Sequence, residues 1–456
     1  LAFGPGLAYS SGVTLDADVR AKERVAKTRP DDGAAQVGLA TALARVGRER
    51  EALEAFIRAA GSEPADPEVV RALSDVAWWG GPRGPSGGSR ALAVPSMRRP
   101  GDLVFARRLG GKGMGLALGR GIVLARIQED ERDWRLVAAA LATGRELWSH
   151  DDAAVAAAPP LVSDDLVIDA VLVTASRGLI LRVRARDAAT GRERWRLDEA
   201  LPELPQRGAI FAAADLAGRR VALGVGNHGK VDFQQLLRVV DVASGNPVEK
   251  SSVRGLNELA LDADRVYVSA AHDPNRRIEA RRLPDGGRVW DAVREERTTR
   301  VAVSGELVVC ATESRLLTLA RASGAVRWSL NYRLAGSDAL VVTPRAVIGV
   351  FGREGTIAFD LETGDRIFSD GMPARLLAAT EDTLYGVVET GLKVRALDLL
   401  TGERIFEQDL AALRHPELQG STGIHKLAVA PSRLVALTRE GVLFVVAVPP
   451  GAEEPG

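Results

Sequence analysis

The sequence predicts a mainly β chain, an eight-bladed β-propeller of four-stranded blades behind a short helical segment. Three observations carry that reading. First, a turn glycine is followed four residues later by a large side chain or its substitute, eight times: Gly101/Phe105, Gly144/Trp148, Gly191/Trp195, Gly245/Glu249, Gly286/Trp290, Gly324/Trp328, Gly364/Phe368 and Gly402/Phe406. Second, successive glycines stand 43, 47, 54, 41, 38, 40 and 38 residues apart, and a period near forty made of short strands marks one supersecondary unit per repeat. Third, the last repeat lacks an outer strand, while a spare strand stands at the start of the repeat region, over 101–108. Seven blades is the alternative count.

Taken in order, residues 1–14 form an N-terminal extension. Leu1-Ala-Phe-Gly-Pro-Gly-Leu-Ala lacks the basic start of an intact signal peptide, so either a signal has been removed or the chain begins inside a longer product. Residues 15–79 change periodicity. Leu39, Ala40, Leu43, Ala52, Phe56 and Ala59 recur at helical spacing, with Gly47 as a break and Pro64 as a stop. Pro30 and Pro64 are 34 residues apart, as are Leu39 and Leu73. This segment resembles the tetratricopeptide helix-turn-helix repeat, covering one full repeat and two half-repeats. About three repeats are needed to bury a continuous core, so the segment is expected to act as a cap or as a partner-binding module. Residues 80–100 are a Gly/Pro/Ser-rich linker.

From 101 to 456 strand follows strand. In the repeat ending at Phe406, 382–389 and 391–398 read as strands, and Leu-Leu-Thr-Gly402 turns the chain into a third. Glycine supplies the positive φ of that turn, and Asp398 and Thr401 are placed to bind its amides. The aromatic beyond the glycine lies on the outermost strand, where it can wedge against the next blade. Phe105, Trp148, Trp195, Trp290, Trp328, Phe368 and Phe406, with Gly144, Gly191, Gly364 and Gly402, are therefore read as structural. Strand 101–108 is expected to pair with the last blade and latch the ring, which removes exposed sheet edges.

Composition excludes several functions. Lys+Arg and Asp+Glu each number 60, so no net field draws nucleic acid or anionic lipid to the chain. The single cysteine, Cys310, rules out an internal disulfide and a Cys-based zinc site, and its apolar strand context reads as a buried small hydrophobe. The five histidines are scattered, and no stretch is long and apolar enough to span a membrane.

The pattern Ala-x-Asp-x-x-Thr-Gly-x-x-x-Trp, clearest over Ala185–Trp195, resembles the repeat of the PQQ-like (quinoprotein-type) propellers over roughly 101–451. That resemblance implies the fold. For function it implies two very different relatives: PQQ-dependent alcohol dehydrogenases, and the non-enzymatic propeller lipoprotein of the outer-membrane β-barrel assembly machinery. The second is the nearer in style, although its lipidated cysteine and lack of a tetratricopeptide segment are departures. The dehydrogenases hold calcium with a Glu/Asn/Asp set, and many carry adjacent cysteines. Neither is recognisable here, so no cofactor is expected, with PQQ and calcium as the alternative.

The most site-like cluster is Asn227, His228 and Lys230, where glycines would let a ligand approach the backbone; an ordinary polar loop is the bland reading. Trp78, Trp79 and Trp134 fall outside the repeat's aromatic position and are weak interface candidates. The expected function is a non-catalytic scaffold that binds other proteins of a membrane-associated bacterial envelope assembly, exported to the periplasm after signal removal. The alternatives are a quinoprotein dehydrogenase or degenerate ligand-binding relative, a sensory propeller module of a longer signalling chain, and a cytoplasmic location.

Overall fold

The computed structural model describes residues 11–28, 35, 36, 39, 43 and 55, and then 103–447 apart from 120, 203, 205–208, 218, 228–233, 271–275, 295, 336–339, 372–373, 381, 389–391, 414 and 431–432. The chain divides into two units, Leu1–Trp78 and Trp79–Gly456. In the first, helix α1 spans Ser11–Thr28, so the helical stretch begins before residue 15. Val19 and Ala26, seven residues apart on one face, are buried, as are Leu39, Leu43 and Ala55 at further helical positions. Gln36, also buried, donates its side-chain N–H to the Ala26 carbonyl at 3.4 Å. The tetratricopeptide correspondences at Ala40, Gly47, Ala52, Phe56, Ala59 and Pro64 lie outside the described residues.

The second unit is a ring of eight antiparallel sheets. Seven are consecutive runs of chain: 112–153, 156–201, 209–254, 256–293, 298–330, 340–370 and 374–409, called blades 1 to 7. Blade 8 takes three strands from 424–447 and its outermost from the other end of the unit. Strand Leu103–Arg108 pairs antiparallel with Val442–Ala447, with Phe105 opposite Val445 and Arg108 opposite Val442. The closing strand is pinned further. Arg108 donates its backbone N–H to Glu417 Oε2 at 3.1 Å and its guanidinium to the carbonyls of Glu417 and Gln419 at 3.1 and 2.9 Å.

Local chemistry explains why each hairpin forms where it does. Asp187 Oδ1 accepts from the amide and hydroxyl of Thr190 at 3.0 and 2.8 Å, while Gly191, at φ +70°, donates its amide to the Asp187 carbonyl at 2.8 Å. Asp398 repeats this with Leu400 and Thr401. A register shift just after each turn then sets the large side chain opposite a smaller one. Ala185 faces Trp195, Ala280 faces Trp290, Ala358 faces Phe368 and Ala396 faces Phe406. The alanine of the sequence pattern is thus the space left for its partner ring.

The core lies between blades. Each apolar cluster joins two neighbours, as where Leu172, Leu181 and Val183 of blade 2 meet Val221, Leu223 and Val225 of blade 3. At the outer end of most seams the aromatic of one blade lies flat against the turn glycine of the next. A Cβ on Gly191 would stand 2.6 Å from the ring of Trp148, and the same holds for Gly245 on Trp195, Gly324 on Trp290 and Gly402 on Phe368. The four tryptophans each donate the indole N–H across the seam: Trp148 to Ala188 O (2.9 Å), Trp195 to Val242 O (2.8 Å), Trp290 to Arg321 O (2.8 Å) and Trp328 to Leu361 O (3.0 Å). Each acceptor sits three residues before the next turn glycine. The seam between blades 3 and 4 departs from this, with Glu249 resting on Gly286.

Candidate functional surface

Antiparallel order gives the ring two unlike faces. Connections from first to second strand and from third to fourth emerge on one face. These are short and uniform, from the two-residue link 164–165 to the five-residue turns such as 188–192 and 361–365. The other strand ends lie on the opposite face, and the stretches of chain between them differ widely in length, from one residue at 255 to fourteen at 410–423. Length variation on a rigid scaffold is where binding groups are usually carried.

Two of the long connections serve the fold. The 410–423 link buries Leu410 and Leu418 and holds the closing strand through Glu417 and Gln419. The 331–339 link packs Tyr332 against Phe351 and Phe359, with ring centroids 5.1 and 5.0 Å away. Between the inner strands of blades 4 and 5, Arg300 and Glu258 form an ion pair at 3.4 Å, and Asn257 donates to the Thr298 carbonyl at 3.0 Å.

The candidates from sequence fall apart in space. Asn227 ends the second strand of blade 3, Arg220–Asn227, with its backbone opposite Ala209. His228, Lys230, Trp78 and Trp79 lie outside the described residues. Trp134 is 6% exposed, packs among Met114, Ala154, Val171 and Val173, and donates its N–H to the Ala154 carbonyl at 3.1 Å. Its indole is committed to the blade 1–2 seam. Cys310 is fully buried, and burial pushes its thiol up to about 12, so it is neither a nucleophile nor a redox centre at neutral pH. Among the described residues no group of three His, Cys, Asp or Glu side chains is placed to hold a metal ion.

Sequence reading missed a polar layer between blades. In blades 2, 3 and 7 an arginine stands three residues before the turn aspartate, as Arg184/Asp187, Arg238/Asp241 and Arg395/Asp398. Each reaches back to an acid on the outer strand of the preceding blade. Arg238 binds Glu199 through Nε and Nη2 at 3.0–3.1 Å and gives Nη1 to the carbonyls of Leu237 and Ser251. Arg395 binds Asp370 at 2.9 Å and Glu407 of its own blade at 2.5 Å. The recurring Arg-x-x-Asp was the available signal.

On the rim, the large apolar side chains left exposed include Leu400 (58%), Val326 (50%), Ile405 (42%) and Val289 (39%). Leu400 and Ile405 share one hairpin of blade 7, flanking Gly402. Such adjacent exposed apolar groups are what a protein contact removes from water.

The family described as outer membrane protein assembly factor BamB matches residues 88–258 and 274–449. No curated protein matches the chain by sequence. Among solved structures, BamB from Moraxella catarrhalis is 17% identical with a TM-score of 0.52, covering 76% of this chain and 99% of its own. A quinohemoprotein alcohol dehydrogenase from Pseudomonas putida HK5 is 12% identical with a TM-score of 0.58, covering 85% of this chain and 83% of its own. The computationally designed protein Ika8 is 14% identical with a TM-score of 0.57, covering 76% of this chain and 100% of its own. At these identities the structural likenesses establish the propeller fold and leave its chemistry open.

Proposed function

We propose that this chain, which belongs to the outer membrane protein assembly factor BamB family, is a non-catalytic scaffold subunit that binds other proteins of a bacterial outer-membrane assembly. The observation that carries the reading is the family match over both halves of the ring, 88–258 and 274–449. The architecture agrees with it. Eight interlocked seams and a pinned closing strand make a stiff platform, and the ring offers one face of varied loops and a rim with exposed apolar groups. No helix among the described residues is long and apolar enough to cross a membrane.

The test is affinity purification of the tagged chain from gently solubilised native membranes, followed by mass spectrometry. Stoichiometric outer-membrane assembly proteins are expected. Leu400→Asp with Ile405→Asp should reduce their recovery at least tenfold if the blade 7 rim makes the contact; unchanged recovery would move the contact to the loop face. A chain that copurifies with nothing would overturn the scaffold reading. Tight, saturable binding of PQQ with calcium, read by absorbance, would replace it with the dehydrogenase reading.

A further inference from the structure

The seam between blades 1 and 2 buries an unbalanced set of charges. Arg126 lies on the second strand of blade 1, Ile122–Gln128, and Asp152 on its outermost strand, Glu146–Ala153. Across the seam, Asp169 lies on Leu166–Thr174, and Arg184 and Arg186 on Leu179–Asp187. None of the five is more than 8% exposed. Arg184 holds Asp152 through Nη1 at 2.8 Å and Nη2 at 2.5 Å and also reaches Asp169. Arg126 hydrogen-bonds Asp169. Among the described residues Arg186 hydrogen-bonds only the Gly191 carbonyl, at 3.2 Å from Nη1, and its Nε is 3.8 Å from Asp169, beyond hydrogen-bond reach.

Three guanidinium groups therefore face two carboxylates. Both carboxylates are ionised: burial pushes Asp152 and Asp169 up, but the hydrogen bonds and charges of His150, Arg184 and Arg126 outweigh it and hold both below the ordinary range. His150 Nε2 stands 3.0 Å from Arg184 Nη1 and 3.6 Å from Asp152 Oδ1, and adds no negative charge. Glu193, whose backbone lies opposite Arg186, attracts it at longer range, but its side chain is about one-third exposed and lies 3.9 Å from Arg196. Arg126 Nε and Nη1, Arg184 Nε, and Arg186 Nε and Nη2 are buried with no acceptor among the described residues.

The same ring shows what a balanced version looks like. Arg238 and Arg395, at the position equivalent to Arg184, place every nitrogen on an acceptor. At the position just before the turn aspartate, where Arg186 stands, blades 3 and 7 carry Val240 and Leu397.

We propose that this seam binds one small inorganic anion, of chloride size, against the unpartnered N–H groups of Arg186 and its neighbours. Buried N–H donors without acceptors are costly, and a buried cation without a counter-charge more so. Water would satisfy the donors but leave the charge. A partner protein cannot reach atoms that are closed to solvent, whereas a small ion can enter during the local opening of a seam. Chloride also loses its hydration more readily than phosphate or sulfate.

The experiment uses the full chain with chloride as the probe. The melting temperature is followed as sodium chloride replaces sodium gluconate at constant ionic strength, alongside the 35Cl NMR linewidth. Binding to the folded state predicts a rise of roughly 2 °C per tenfold chloride above the dissociation constant, with line broadening that disappears on unfolding. Arg186→Met, which removes the excess charge while keeping the apolar stem, should flatten the chloride dependence and abolish the broadening. A wild-type chain indifferent to chloride, or an Arg186→Met chain with the wild-type dependence, overturns the proposal. If that variant does not fold, a bromide-soaked crystal of the wild type decides: an anomalous peak beside Arg186 supports the site, and its absence overturns it.

Discussion

Glu249 occupies the place that aromatics hold in the neighbouring seams, and its replacement by glutamine should stabilise the ring. The residue is 7% exposed. Its Oε1 accepts from the Ser251 hydroxyl at 2.9 Å, while Oε2 is buried without a hydrogen-bond partner. Among the described residues Arg281 Nη1 lies 3.9 Å away, but Arg281 is already bound to Glu279 through Nε at 2.9 Å and Nη2 at 2.8 Å. Burial therefore prevails over the Ser251 hydrogen bond and the Arg281 charge, and raises the Glu249 pKa above its ordinary 4.5. A carboxyl whose pKa is raised on folding favours the protonated form. Its contribution to stability is greatest at low pH and is lost as pH rises through the folded-state value. Glu249→Gln keeps the shape and the Ser251 contact and removes the charge. Removing the desolvated charge should give about 1–2 kcal/mol at pH 8, roughly 1.5–3 °C in melting temperature for a ring of this size. Below about pH 4.5 the two proteins should converge, because the wild type is then protonated as well. The assay is urea and thermal unfolding of both proteins from pH 4 to pH 8. A variant less stable than wild type at pH 8 would mean that Arg281 more than offsets desolvation, and a difference independent of pH would mean that charge is not the cause.

Other seams give sharper contrasts. Trp195→Phe removes the donor to the Val242 carbonyl and should cost about 1–2 kcal/mol; Trp290→Phe should cost less in urea unfolding, because the Arg321 carbonyl also receives Arg265 Nη1 at 2.6 Å. Gly191→Ala forces an L-residue to φ +70° and drives a methyl to 2.6 Å from the Trp148 ring, so a loss of at least ~2 kcal/mol is expected, measured by the same unfolding. Cys310 should resist thiol reagents at pH 8 until the chain unfolds, since its thiol is buried and pushed up to about 12; labelling of the native protein at the rate of the denatured one would contradict its placement in the blade 4–5 core.

Local chemistry was legible because each blade restates it within a dozen residues. The Asp-x-x-Thr-Gly turn, the positive-φ glycine and the aromatic four residues on need only their own hairpin, so their spacing alone specifies eight sheets. The missing outer strand was legible for a related reason: an incomplete last repeat and a spare first strand can satisfy each other's backbone groups only by closing the ring. The candidate surface was less legible. Trp134 looked out of place in the repeat because its partners, Met114 and Ala154, belong to other strands and the seam itself.

The sequence by itself determined the period, the turn chemistry, the small residue opposite each aromatic and the strand left over for closure, all consequences of short-range backbone geometry. Only the tertiary structure decided what meets across a seam: that Trp148 covers Gly191 and gives its N–H to Ala188, that Glu249 is shut in against Gly286, and that Arg126, Arg184 and Arg186 gather around two aspartates. Those contacts join residues of successive blades, often 30 to 60 positions apart. Their energy depends on burial and on the exact count of charges and donors, neither of which a repeat pattern specifies, because a strand position tolerates an arginine or a valine equally until a neighbouring blade closes over it.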